Sequence, residues 1–252
     1  MMGPRALVFG DRDVARAYRH RAPYPDETFA ILEELLAEPR AVLDVGSGSG
    51  QLARPMLRFA THVDAVDPSN AMVEEGRQLP GGDDARLRWI VGTAETAPLD
   101  PPYGLITAGT SIHWMTPDVA MPRFSAALAP GGRLAIVEKD DGDFPVPGLL
   151  EVVKRHSELH ADTIDGFAER VASLEATGLF VKEGERRTAP VHFRRTVDEY
   201  LEYLHSTSTL ARTRLGERAA AFDAEIRAVF AGRGMAVLDQ EVVGLVAWGR
   251  PQ

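Results

Sequence analysis

The stretch Val42-Leu43-Asp44-Val45-Gly46-Ser47-Gly48-Ser49-Gly50 places a carboxylate near the end of an apolar run and three glycines at alternate positions after it. Glycine tolerates positive φ and carries no side chain, so such a turn lets a ligand approach the backbone closely. A second apolar run ends in Ala65-Val66-Asp67-Pro68, with Asp67 lying 17 residues past Gly50. An acid at the end of the second strand of a doubly wound sheet accepts hydrogen bonds from ribose hydroxyls, and Asp67 is expected to do so. A dinucleotide turn needs glycine at its first, third and sixth positions; counted from Gly46 the sixth residue is Gln51, so a nicotinamide dinucleotide is not expected. The third group capable of chemistry is His113, in the run Ala108-Gly109-Thr110-Ser111-Ile112-His113-Trp114-Met115. Imidazole titrates near neutrality, so His113 is the best candidate for a general base, with packing in the wall of a pocket as the alternative. Tyr18, Tyr24 and Glu138 are lesser candidates.

These groups need a frame to hold them. Short apolar runs closed by Gly, Pro or Asp predict strands at 41–45, 63–66, 87–91, 105–108 and 133–137, with helix-length segments between them. That alternation predicts parallel βαβ units and a doubly wound sheet. Residues 26–38 form an amphipathic helix with Phe29, Leu32, Leu35 and Leu36 on one face, and 51–59 a helix after the glycines. Beyond residue 143 the pattern changes, with helices expected near 149–160 and 166–176 and a strand around 188–193. Thr196-Val197-Asp198-Glu199 reads as a capping box opening a helix with Leu201 and Leu204 inside, and a further helix over 217–230 precedes a last strand at 242–248. The expected organisation is an N-terminal cap segment (1–33), a sheet core (34–143), a helical cap or insertion with one core strand (144–231), and a C-terminal strand that completes the sheet (232–252).

Composition narrows the chemistry further. The 252 residues contain no cysteine, which excludes disulfides, thiol nucleophiles and Cys-ligated metal centres. A formal charge of -9 argues against a polyanionic partner such as nucleic acid. The longest apolar stretch, 242–248, is far too short to span a bilayer, and 6–9 is too short for a signal-peptide core, so a cytoplasmic location away from membranes is expected. His156, His160, His192 and His205 lack metal-ligand spacing, and no metal site is expected. Arg194, Arg195, Arg212 and Arg214 flank the cap helices, where they either face solvent or recognise a carboxylate.

The spacing D-x-G-x-G-x-G, with the acid ahead of the glycines, resembles the class I S-adenosylmethionine-dependent methyltransferases. Gly92-Thr93-Ala94-Glu95-Thr96-Ala97-Pro98-Leu99 is similar to that family's segment after the third strand, and 127–134 to its turn before the fifth. The His-Trp segment, Tyr18-Arg19-His20-Arg21-Ala22-Pro23-Tyr24-Pro25 and the closing Ala247-Trp248-Gly249-Arg250-Pro251 resemble small-molecule enzymes of the trans-aconitate and ubiquinone-pathway type. The resemblance implies a Rossmann-like fold, mostly parallel with an antiparallel C-terminal strand. It implies methyl transfer from S-adenosylmethionine to a small-molecule acceptor, without a metal. The cofactor would be held by Tyr18, Arg21, Asp44, Gly46, Ser47, Gly48, Asp67, Pro68, Met72, Thr93, Ala94, Glu95 and Ala108, with Arg21 on its carboxylate. Two other readings follow from the same residues: a protein that keeps the cofactor site without methylating, and a nucleic-acid base methyltransferase. The second is suggested by Asp100-Pro101-Pro102-Tyr103, a motif that in those enzymes follows strand four but here is expected to precede it.

Overall fold

A computed structural model of the chain describes residues 6–142, 144–157 and 166–252; His160 and the expected end of the 149–160 helix lie outside them. In chain order the elements are α1 (Arg12–Ala17), α2 (Asp26–Leu35), β1 (Ala41–Val45), α3 (Ala53–Met56), β2 (His62–Asp67), α4 (Asn70–Gln78), β3 (Leu87–Val91) and β4 (Tyr103–Gly109). They continue with α5 (Pro117–Ala127), β5 (Leu128–Asp140), α6 (Leu149–His156), α7 (Phe167–Ala176), β6 (Phe180–Arg187) and β7 (Val191–Thr196). The last four are α8 (Val197–His205), α9 (Arg212–Leu215), α10 (Ala219–Ala231) and β8 (Val237–Pro251). Two compact units result, one of Tyr24–Lys139, Asp165–Ala189 and Val243–Gln252, the other of Met1–Pro23, Asp140–Ile164 and Pro190–Val242. Residues 24–33 and 165–189 thus fall in the sheet unit rather than with the cap segments.

In the sheet unit the strand order is β3-β2-β1-β4-β5-β8-β6; β1 to β5 pair in parallel, and β8 pairs antiparallel with β6. Alternate residues serve two cores. Val42, Val63, Ala65 and Leu105 meet Phe29, Ile31 and Leu32 of α2 and Met56 of α3 on one face. Leu43, Val45, Val66, Ile106 and Ala108 meet Met121 and Phe124 of α5 and Val171 and Leu174 of α7 on the other. A sheet covered on both faces explains why its central strands are largely apolar, with Asp44, Asp64 and Thr107 as buried exceptions. The order reverses at β1, which has β2 on one side and β4 on the other, and ligands of such sheets collect at the carboxyl ends beside that reversal.

Several elements differ from the sequence reading. Helix α2 stops at Leu35 because the chain turns to follow β4, with the Ala37 amide donating to Gly104 O at 3.3 Å. The expected 51–59 helix shrinks to α3: Pro55 has no amide to give, and the following turns close mostly on the third residue back, as in Leu57 N to Arg54 O and Arg58 N to Pro55 O. The Gly131-Gly132 reversal lies inside β5. A two-residue step on β4, Tyr103 to Leu105, matches a five-residue step on β5, Leu128 to Arg133, and Gly131 takes φ +82° at the bulge. The strand expected at 188–193 is β7, which starts three residues later, and an unexpected strand β6 precedes it, with Thr188 between them bonding the backbone of Gly244 through both its amide and its hydroxyl. Only Phe180 of β6 is buried, so this polar edge strand carries no apolar alternation to reveal it.

Strand β4 begins at Tyr103, after Asp100. The Tyr103 ring is fully buried, its hydroxyl accepting from the Asp100 amide at 2.8 Å and donating to Asp64 at 2.5 Å. Burial works against ionisation of Asp64, yet hydrogen bonds from Arg88, Tyr103 and His62 hold its carboxyl below the usual range. The D-P-P-Y resemblance is therefore a packing feature of the strand.

The other unit packs Leu149, Val152 and Val153 of α6, Tyr200, Leu201 and Leu204 of α8, and Phe222, Ile226 and Phe230 of α10 into a core of its own. The capping box is formed: Thr196 Oγ1 accepts from Glu199 N at 3.2 Å, and Glu199 Oε2 accepts from Thr196 N at 2.7 Å. Thr196→Ala is expected to lower stability by about 0.5–2 kcal/mol in urea unfolding. No helix among the described residues is long and apolar enough to cross a membrane.

Candidate functional site

Directly after β1 the chain turns on three glycines with positive φ: Gly46 at +66°, Gly48 at +55° and Gly50 at +78°. The amides of Gly46 and Ser47 donate to Val66 O at 2.8 and 3.0 Å, which ties the turn to the end of β2. Asp67, one residue on, is buried, and both its oxygens accept from backbone, Oδ2 from Gly48 N and Oδ1 from Ser69 N, each at 2.8 Å. Burial raises its pKa to about 6 against the opposing effect of those two amides. Asp67 thus spends one lone pair of each oxygen on shaping the turn.

Asp44 stands opposite Thr107 in the β1–β4 register and accepts from its hydroxyl at 2.8 Å. It is 1% exposed, and burial raises its pKa to about 7, with nearby Asp67 adding to the rise while Thr107 and the Ala53 amide oppose it. Its Oδ2 has no hydrogen-bond partner among the described residues, and neither does the buried hydroxyl of Ser47. Unsatisfied buried polar atoms are costly, and two occur within four residues here, one near the end of β1 and one in the glycine turn.

Ser111 was given no role by the sequence reading. Its hydroxyl donates to Val45 O at 2.7 Å, and its Cβ would lie 2.4 Å from a Cβ added to Gly46. It pins the turn at 112–114 to the glycine loop, and that turn carries His113. The His113 ring packs on Trp114 with centroids 4.8 Å apart. Its pKa is lowered to about 4, first by desolvation of the imidazolium and then by the positive charge of Arg170, although the residue as a whole is solvent-exposed. Arg170 is paired with Glu138.

At the ends of β4 and β5, Tyr24 and Thr110 share a hydroxyl hydrogen bond of 3.2 Å, and Lys139 lies 4.7 Å from the Tyr24 ring centroid while donating to Gln51. No local signal marks these four residues as a group, since they come from four segments far apart in the chain. Met72, Ala94 and Ala108 are buried around the turn's side of the sheet, and Pro68 is exposed. The Thr93 hydroxyl bonds that of Thr96 at 3.0 Å. Glu95 has a structural duty, accepting from the Thr116 amide at the start of α5 at 2.8 Å. Tyr18 and Arg21 belong to the other unit. There the Arg21 guanidinium stacks 3.9 Å from the Tyr18 ring and donates to the hydroxyl and the carbonyl of Ser206, both at 2.9 Å.

Residues 42–132 match a family described as a methyltransferase domain. That segment, rather more than a third of the chain, is similar to methyltransferase domains. The match takes in β1 to β4, the glycine turn, Asp67 and His113. An uncharacterized methyltransferase of Mycobacterium tuberculosis is 36% identical over 134 residues, 52% of each chain, so the chain spans about half the length of that relative. A trans-aconitate 2-methyltransferase of Streptomyces avermitilis is 29% identical over 223 residues, 82% of each chain. A solved structure assigned as a type II methyltransferase, from Anaeromyxobacter dehalogenans, is 28% identical with a TM-score of 0.63, covering 92% of this chain and 99% of that one. The matched segment thus lies on the parallel half of the sheet, with the glycine turn at the carboxyl end of β1.

Proposed function

We propose that this protein transfers a methyl group from S-adenosylmethionine to a small-molecule acceptor by direct displacement, and that it does so in the cytoplasm. The observation that carries the reading is the glycine turn bonded to Asp67, with the Asp44 Oδ2 and Ser47 Oγ acceptors buried and unsatisfied beside it. Ribose hydroxyls and an α-ammonium are donors, and these residues are acceptors, so the donor set and the pocket are chemically matched. When bound, S-adenosylmethionine supplies a methyl already activated on a sulfonium sulfur.

The residues of the sheet unit then have separate tasks. Gly46 and Gly48 leave room for close approach, Asp67 offers its remaining lone pairs to ribose, and Pro68, Met72 and Ala94 provide apolar contact for the adenine. The Glu95 carboxylate serves Thr116, so polar contact from that segment falls to Thr93 and the Ala94 amide. Ala108 and the turn pinned by Ser111 bring His113 to the acceptor side. With its pKa near 4 the imidazole is a free base at neutral pH, ready to take the acceptor's proton and pass it to solvent. Holding donor and acceptor in line is the larger contribution, because well-oriented intramolecular reactions gain about 7–11 kcal/mol.

A small acceptor is favoured by the net charge of -9, which repels polyanions, and by relatives named for trans-aconitate and for ubiquinone and menaquinone. The test is calorimetry with S-adenosylmethionine, followed by a screen of candidate acceptors read by release of S-adenosylhomocysteine. Asp67→Ala is expected to weaken cofactor binding roughly 10- to 150-fold, since a hydrogen bond to a charged group contributes ~1.5–3 kcal/mol. Asp67→Asn, which keeps one acceptor for the turn, should lose less. Equal affinity in wild type and a folded Asp67→Ala would remove Asp67 from the site.

A further inference from the structure

Within the proposed site Asp44 has a property that holding a ligand does not by itself require. Its carboxyl is enclosed by β1, by Thr107 of β4, by the Ala53 amide at the start of α3 and by Asp67 at the end of β2. The only charged side chain that acts on it from these elements is another acid. Among cations on the neighbouring elements, Arg54 directs its guanidinium to Ser49 O and Pro80 O, Lys139 bonds Gln51, and His113 is uncharged at neutral pH. A buried carboxylate beside a second carboxylate, with one oxygen unsatisfied, is poorly stabilised as an anion until a cation arrives.

We propose that Asp44 selects a cationic ligand by proton exchange: its carboxyl gives up a proton when the positive charge of S-adenosylmethionine enters the pocket, and regains one when that charge leaves. This rests on the proposed function and adds a consequence to it. In the transfer, the methyl–sulfur bond breaks with its electron pair going to sulfur, a bond forms from the acceptor's lone pair to the methyl, and the acceptor's proton is lost. Where the sulfonium is the charge that keeps Asp44 ionised, its loss lets the Asp44 carboxylate take up one proton from solvent, which balances the acceptor proton that His113 passes to solvent. With its pKa raised to about 7 in the free protein, the exchange falls in the physiological range.

Two charges of the ligand can drive the exchange, the sulfonium and the α-ammonium, and three probes separate them. S-adenosylmethionine carries both, S-adenosylhomocysteine only the ammonium, and methylthioadenosine neither. Titration calorimetry in buffers of different ionisation enthalpy counts protons released per ligand bound. At pH 7 the wild-type protein is expected to release about half a proton on binding S-adenosylmethionine, and its Kd should tighten about tenfold from pH 6 to pH 8. Methylthioadenosine should release none. Release with S-adenosylhomocysteine assigns the effect to the ammonium, and its absence assigns it to the sulfonium. Asp44→Asn should cut the release at pH 7 to about a tenth of a proton, the share left to Asp67 with its pKa of about 6, and flatten the pH dependence above pH 7.

Should that variant fail to fold, the wild type itself answers. The 13C carboxyl resonance of Asp44 should titrate near pH 7 without ligand and well below that when saturated. Binding of S-adenosylmethionine without proton release, release that stays undiminished in Asp44→Asn, or an Asp44 resonance that does not move would each overturn the inference while leaving the proposed function standing. No binding at all would overturn the proposed function and this inference with it.

Discussion

Gly46→Ala is expected to lower stability by about 2–5 kcal/mol and to weaken S-adenosylmethionine binding in step. Two independent costs add. A left-handed backbone at φ +66° costs a residue with a Cβ about 1–2 kcal/mol. The new methyl would also sit 2.4 Å from Ser111 Cβ, and forcing extra volume into a packed site costs typically 1–3 kcal/mol. Ser111 cannot yield easily, because its hydroxyl is bonded to Val45 O and its backbone starts the turn that holds His113. Relief must come from the glycine turn, whose shape the ligand needs, and every 1.4 kcal/mol of strain carried into the complex is tenfold in Kd. Gly131→Ala is the control: it has φ +82° but nothing within 4 Å, so it should lose only the backbone term and bind normally. Urea unfolding and calorimetry on both variants check this, and wild-type affinity in Gly46→Ala would show that the turn is not where the ligand sits.

His113→Gln separates the two roles left open for the imidazole. As the base, His113 should contribute at the lower end of the usual ~10²- to 10⁴-fold range, because a group with a pKa near 4 takes up a proton less readily than one near 7. The expected result is a kcat lower by ~10²-fold. The sign of the pH dependence follows from the same shift. A lowered pKa keeps the ring neutral above about pH 5, so His113 imposes no titration between pH 6 and 8 in the wild type, and its protonation should depress the rate only toward pH 4. The sequence alone leads one to expect that titration near neutrality; desolvation and the Arg170 charge move it. As pocket wall only, His113→Gln should raise the acceptor KM and spare kcat. Unchanged kcat and KM would place His113 outside the site.

The parallel core was legible in the sequence because its cause is local and repeated. A strand buried on both faces reads as a nearly continuous apolar run, so β1 read correctly to the residue; edge strand β3 did too, its Leu87, Trp89 and Ile90 being buried while Arg88 and Val91 are exposed, and the glycines with Asp44 and Asp67 stood where a turn and a strand end require them. The capping box of α8 was legible for the same reason, being complete within four residues. Strand β6 was not, since an edge strand with one buried side chain carries no periodicity. The bulge inside β5 and the early ends of α2 and α3 depend on partners far along the chain or on a missing amide. The chemistry of the site divides in the same way. Residue type and spacing determined which groups could act: two acids, three glycines and a histidine. Only the tertiary structure decided their state, because the pairing of β1 with β4 encloses Asp44 and brings Thr107 to it, the β2 end gives both oxygens of Asp67 to amides, and a turn pinned by Ser111 places His113 within reach of the charge on Arg170. Protonation depends on what surrounds a group in space, and that is fixed by contacts between residues that the sequence holds far apart.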